Sequence, residues 1–145
     1  DLDSVGKALS LPELEMMHVQ KTGALIGAAV ALGARCGVNP QPDDLARLDR
    51  YAHCVGLAFQ VVDDILDAEA STATLGKTAG KDAAANKPTY VSLLGVAAAK
   101  SLAEDLRAQA HVQLKALTLA GDAGSTPAAT QRLAAMADFI VLRKF

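Results

Sequence analysis

Between residues 45 and 66 the apolar side chains fall on one helical stripe. Leu45, Leu48, Ala52, Val55, Phe59, Val62 and Leu66 keep a three-and-four spacing. A helix with that stripe must bury it against other elements. Composition says which kind. Half of the 145 residues are hydrophobic, aromatics are only 3%, alanine abounds and β-branched runs are almost absent. Such a chain favours helices packed closely on one another.

The stripe runs into a chemical problem at residues 59–67, FQVVDDILD. With about 100° per residue, and Gln60 set at zero, Asp63 falls near about −60°, Asp64 near about +40° and Asp67 near about −20°. Three carboxylates therefore leave one edge of a packed helix together. Two unit charges 4 Å apart repel by about 4 kcal/mol at an effective dielectric of 20, so something positive has to balance them. The helix offers no nearby cation; Arg50 and Lys77 are the closest in sequence. A hard divalent cation such as Mg²⁺ suits carboxylate oxygens and can bridge to phosphates. A solvated acidic patch is the plain alternative. Against it stand the apolar neighbours Phe59, Val62, Ile65 and Leu66, and a placement near the expected helix C-terminus, which the helix dipole disfavours.

Lysines supply the other half. Lys21-Thr22 sits mid-helix between small residues, and Lys77 and Lys87 follow the acidic segment. If the metal carries a phosphate, cations should converge on the same anion, and together these residues suggest a diphosphate cradle.

Other segments set the frame. Ser10-Leu11-Pro12-Glu13 reads as a capping box with proline in the first turn. Its helix is expected to continue to about Cys36. Gly23, Gly27 and Ala31, with Ala24 and Ala28, form rows of small residues that suit close helix contact, within a subunit or across a dimer. A second helix is expected from Pro42-Asp43-Asp44 to about Ala68, and a loop from Glu69 to Pro88. A third runs from near Thr89 to about Ala120, where Gly121 ends it, with a break or bend. Thr126-Pro127 opens a last helix carrying Leu133, Met136, Ala137 and Ile140.

Several classes drop out. The net charge of −2 and the lack of any polybasic tract argue against nucleic acid. The longest oily run, Gly23 to Ala34, is about 12 residues, against roughly 20 for a bilayer span, so no stable membrane insertion is expected. No secretory signal opens the chain. Cys36 and Cys54 lack metal-ligand spacing and read as reduced thiols of a cytoplasmic protein. His18, His53 and His111 lie far apart and read as surface or packing residues.

Four stretches, in order, carry a resemblance: HVQKTGALI from His18, GLAFQVVDDILD from Gly56, TATLGK from Thr72 and NKPTY from Asn86. Together they resemble the trans-isoprenyl diphosphate synthases, with most likeness to bacterial farnesyl diphosphate synthases. The resemblance implies an all-α fold, the C-terminal half of the isoprenoid synthase helical bundle, usually homodimeric. It implies condensation of an allylic diphosphate with isopentenyl diphosphate by Mg²⁺-assisted ionisation, attack of the double bond and loss of a proton.

By the same resemblance Asp63, Asp64 and Asp67 hold metal. Lys21 and Lys77 grip the allylic diphosphate. Thr22 and Gln60 face the developing cation, Lys87 sits on the active-site side of its loop, and Arg143 and Lys144 form a basic tail that closes over the isopentenyl site. The family's first aspartate-rich motif and its Gly-Lys-Arg isopentenyl site are absent from this sequence. Residues 1–145 are therefore expected to be the C-terminal part of a single polyprenyl synthase domain, inactive alone. Geranyl or geranylgeranyl diphosphate as product, or a non-catalytic helical dimerisation module, remain alternatives. A terpene cyclase fits less well, because those enzymes carry Asn and Ser or Thr in the second metal motif.

Overall fold

The computed structural model describes residues 9–37, 41–74, 88–117 and 126–143. Among them the fold is all-α: α1 (Leu11–His18), a π-helical turn (Val19–Gly23), α2 (Ala24–Arg35), α3 (Pro42–Thr74), α4 (Tyr90–Leu94), α5 (Val96–Lys115) and α6 (Thr126–Leu142). No described helix is long and apolar enough to cross a membrane.

Helix α3 is the axis. Tyr51, Ala52, Cys54, Val55, Leu57, Ala58, Val61, Val62 and Ile65 are all buried. The buried face is thus wider than the stripe read from sequence, because neighbours surround the helix. Helix α5 lies along α3 through Ala99, Ala103, Leu106, Ala110 and Leu114, whose spacing of three and four with small side chains permits close approach. The cross-contacts Arg50–Gln113, Cys54–Gln109 and Lys100–Glu69 show that α3 and α5 are antiparallel.

Helix α6 runs parallel to α3. The Tyr51 hydroxyl donates to the Leu133 carbonyl at 2.8 Å, and twelve residues further along α3 the side chain of Asp63 meets Arg143. On its other side α6 is held to α5 by Asp138, which accepts from Arg107 at 3.0 Å and lies 2.7 Å from His111 Nε2. Ala137 and Ile140 of α6 are buried, whereas Met136 faces solvent.

The local signals explain the element ends. Ser10 caps α1, its hydroxyl and amide both donating to Glu13. Thr89 and Ser92 form a second capping box at the start of α4. The expected break in the third helical stretch is Gly95, whose φ of 81° separates α4 from α5.

Two expectations need correction. The first helix is not one α-helix to Cys36; a π turn interrupts it at Val19–Gly23. Helix α3 does not stop near Ala68 but continues to Thr74, so the start of the expected loop is helical. That correction removes one sequence argument. Asp67 lies two turns before the helix end, beyond the last turn where the dipole acts. The rest of the expected loop, with Lys77 and Lys87, and the Gly121 stop lie outside the described residues. Cys36 is exposed and Cys54 buried, both free.

Candidate active site

The π turn carries Lys21 and Thr22. An extra residue in a helical turn rotates everything after it by about 100°, and such turns recur at functional sites. Gly23 ends the turn against α3, where a Cβ added to Gly56 would sit 3.2 Å from the Gly23 Cα. The two helices meet this closely because position 56 is glycine; a Cβ on Gly23 would make only ordinary contacts within its own helix. One residue before and after that contact lie Thr22, half-buried, and Ala24. Lys21, although exposed, acts electrostatically on both His18 and Asp64.

The carboxylates of α3 part company. Asp63 accepts an ion-paired hydrogen bond on Oδ1 from Arg143 Nη2, and its Oδ2 lies 3.4 Å from the Gln60 amide nitrogen. The Arg143 guanidinium also lies over the Phe59 ring, Cζ 4.5 Å from the centroid. Phe59 and Asp63 are one turn apart, so a single helix face offers the guanidinium an aromatic floor and an anionic wall. Asp64 accepts from the Tyr90 backbone N–H at 2.7 Å. Burial pushes its carboxyl up to about 6; the Tyr90 bond opposes the rise, Asp67 and Asp63 add to it, and Lys21 opposes it. Asp67 is exposed.

Behind Asp64 lies a buried pair. The ring of Tyr90 stacks on His18, centroids 5.6 Å apart. His18 is buried with neither ring nitrogen in a well-formed hydrogen bond; Gln60 touches it but falls short of that geometry. Burial lowers its pKa, contact with Gln60 pulls it back and Lys21 adds to the fall, so the ring is neutral at pH 7. Gln60 itself is buried, with its amide directed between His18 and Asp63.

The structure thus brings Lys21, Gln60, Asp63, Asp64 and Arg143 into one neighbourhood, with Thr22 on the same turn as Lys21. Lys77, Lys87 and Lys144 lie outside the described residues. The three carboxylates do not converge as a cage: among the described residues no three His, Cys, Asp or Glu side chains form a metal cluster. The donor set still fits Mg²⁺, which takes one or two carboxylates and completes its shell with waters and phosphate oxygens. Arg143 already pairs with Asp63.

Sequence reasoning missed the partnership of Asp63 with Arg143, of Asp64 with the Tyr90 amide, and of His18 with Tyr90. The signals were faint. His18 and Tyr90 open and close two of the quoted stretches, but nothing in their spacing says that they stack.

The fold is a helical bundle with paired aspartates, a lysine on a distorted turn and a buried glutamine in one neighbourhood. Comparison names its family. Residues 1–118 match the polyprenyl synthetase family, and the chain belongs to that family. It is 52% identical over 113 residues to the probable farnesyl diphosphate synthase of Sinorhizobium fredii, covering 76% of this chain and 34% of that protein. It is 46% identical over 143 residues to the farnesyl diphosphate synthase of Escherichia coli, covering 99% and 46%. The crystal structure of a Marinomonas sp. protein assigned as a farnesyl-diphosphate synthase superposes with a TM-score of 0.75 at 42% identity, covering 97% of this chain and 43% of that one. The chain spans a third to under a half of the length of these relatives.

Proposed function

We propose that this chain forms the C-terminal part of the catalytic domain of a prenyltransferase that joins an allylic diphosphate to isopentenyl diphosphate, with farnesyl diphosphate as product. The observation that carries the reading is the convergence of Lys21, on its π turn, with Gln60, Asp63 and Asp64 on one face of α3. The similarity to farnesyl diphosphate synthases supports the product assignment.

In this reading Asp63 and Asp67, with Asp64 behind them, seat Mg²⁺, whose charge would stabilise a departing diphosphate. Lys21 places an ammonium at the same edge and neutralises the allylic diphosphate together with Lys77. Lys87, Arg143 and Lys144 add cationic groups along the path of the diphosphates. Gln60 is fixed by burial, and its amide oxygen, with the Thr22 hydroxyl, offers a dipole to an allylic cation formed nearby. The buried Tyr90 and His18 hold the apolar wall that keeps water from that cation.

The outer face of α2 supports a further part of the proposal. The helix buries no residue, and Leu25 and Leu32 are 76% and 66% exposed. A second copy packed there would make the homodimer that the small-residue rows suggest. In this reading the chain works in the cytoplasm.

The test is calorimetric. Inorganic pyrophosphate with Mg²⁺ should raise the Tm of the chain, because a ligand stabilises the state that binds it. Asp63→Ala and Lys21→Ala should each remove most of the rise. A wild-type chain indifferent to both ligands would refute the site. Incubation with labelled isopentenyl and geranyl diphosphate should give no elongated product, since the other aspartate motif and the isopentenyl site are missing from this sequence; robust product would overturn that part.

A further inference from the structure

We infer that Arg143 is a placeholder for the metal: the last turn of α6 parks a guanidinium on Asp63, and it has to withdraw before Asp63 can ligate a cation. This rests on the reading of Asp63 as a metal ligand. Both carboxylate oxygens already face donors, Oδ1 the Arg143 Nη2 and Oδ2 the Gln60 amide. A divalent ion binds such oxygens at about 2.0–2.1 Å, and the Arg143 guanidinium takes one of the lone-pair directions of Oδ1 and crowds the approach to it. Two cations at one carboxylate also repel. Arg143 and the metal therefore compete for Asp63.

The seat is built to hold the guanidinium and to let it go. The Arg143 side chain is only 13% exposed and lies over Phe59. It sits at the helix end: α6 ends at Leu142, and the Arg143 amide makes the helix-type bond to the Phe139 carbonyl at 3.0 Å. Unwinding that final turn frees the side chain without disturbing Ala137, Ile140 or the Asp138 cluster behind it. Positive charge at a helix C-terminus is itself favourable, so the parked state is the resting one. It offsets one negative charge of the acidic face until metal arrives. The apparent metal affinity is then the intrinsic one scaled by the fraction of chains whose Asp63 is clear.

The experiment titrates Mn²⁺ alone, followed by electron paramagnetic resonance, into the full chain and its variants. Arg143→Gln should tighten Mn²⁺ about three- to tenfold. Phe59→Leu, which removes the aromatic floor, should act in the same direction by less. Lys100→Gln deletes the same charge at the exposed pair with Glu69, two turns along α3; it should leave the affinity within about twofold, which separates local competition from net charge. Arg143→Gln binding no tighter than Lys100→Gln overturns the inference. Asp63→Asn should abolish the site in every background. Asp63→Asn binding like wild type would instead remove the metal reading itself, whatever Arg143 does. If Arg143→Gln fails to fold, hydrogen exchange on the wild type decides: Mg²⁺ should speed exchange at the amides of Val141 to Arg143, and unchanged or slower exchange refutes the withdrawal.

Discussion

Helix α3 carries two environments on one rod. From Tyr51 to Ala58 it is dry, wrapped by α5 and α6, with its one buried hydroxyl at Tyr51 satisfied by the Leu133 carbonyl. From Gln60 to Asp67 it turns polar without leaving the bundle, and its carboxylates find partners from three distant segments: Tyr90, Arg143 and Lys21. The first region holds the molecule together. The second holds charge in a place where charge costs stability, which the raised pKa of Asp64 records. Stability and ligand response should therefore separate along the helix.

The separation can be attacked at its strongest point first. Leu106→Ala, which opens a hole against Val55 and Ala58, should destabilise by about 3 kcal/mol in urea unfolding. The rise in Tm caused by Mg²⁺ with pyrophosphate should persist; its loss would merge the two regions.

Asp64→Asn is the opposite case. The carboxyl titrates near its ordinary 3.8 when unfolded and near about 6 when folded. Its contribution to stability is fully present below 3.8, falls as pH rises between those values and is gone above about 6. Asparagine still accepts from the Tyr90 amide but never ionises. The variant should gain on the order of 2 kcal/mol over wild type at pH 7.5 and lose that stretch of pH dependence. It should also respond less to the ligands. A variant less stable than wild type at pH 7.5 would contradict the cost assigned to the charge.

Tyr51→Phe in the dry region should cost about 1 kcal/mol, one net hydrogen bond, with the ligand response intact. The smallest effect belongs to Asp138→Asn. That carboxyl is 39% exposed, and its bond with His111, then Arg107, holds its pKa below the usual value. The loss should stay under about 1 kcal/mol and shrink in 1 M salt. Because the pKa is lowered, the contribution is present above the ordinary 3.8 and fades as pH falls through the folded value. A larger loss would make this surface cluster a second centre of stability.

Much of the frame was legible because its signals are local. The Ser10–Glu13 capping box marks the start of α1, the break falls at Gly95, and the apolar stripe of α3 marks its buried side. The π turn was not legible, since Val19 to Gly23 has ordinary helical composition and only close contact at Gly56 gives the distortion a purpose. Nor was the length of α3. Ser71, Thr72 and Thr74 suggest a loop by propensity, but propensity is a weak prior once a flanking helix is present, and Lys100 of α5 already grips Glu69 at that end. In the site, the spacing of Gln60, Asp63, Asp64 and Asp67 suggested one polar edge; in the structure Gln60 is buried, Asp63 and Asp64 are half-buried with separate partners, and Asp67 is exposed. Their division of labour was out of reach.

By itself, then, the sequence determined that this protein is a bundle of close-packed helices with an acidic edge and a lysine on the helix before it, because helical periodicity and capping act within a few residues. Only the tertiary structure decided which cation answers which carboxylate. Asp63 finds Arg143 across 80 residues of chain because α6 runs parallel to α3, and Asp64 finds the Tyr90 amide because α4 folds back across His18. Charges pair through space, and no pattern along the chain encodes the angle at which two helices meet.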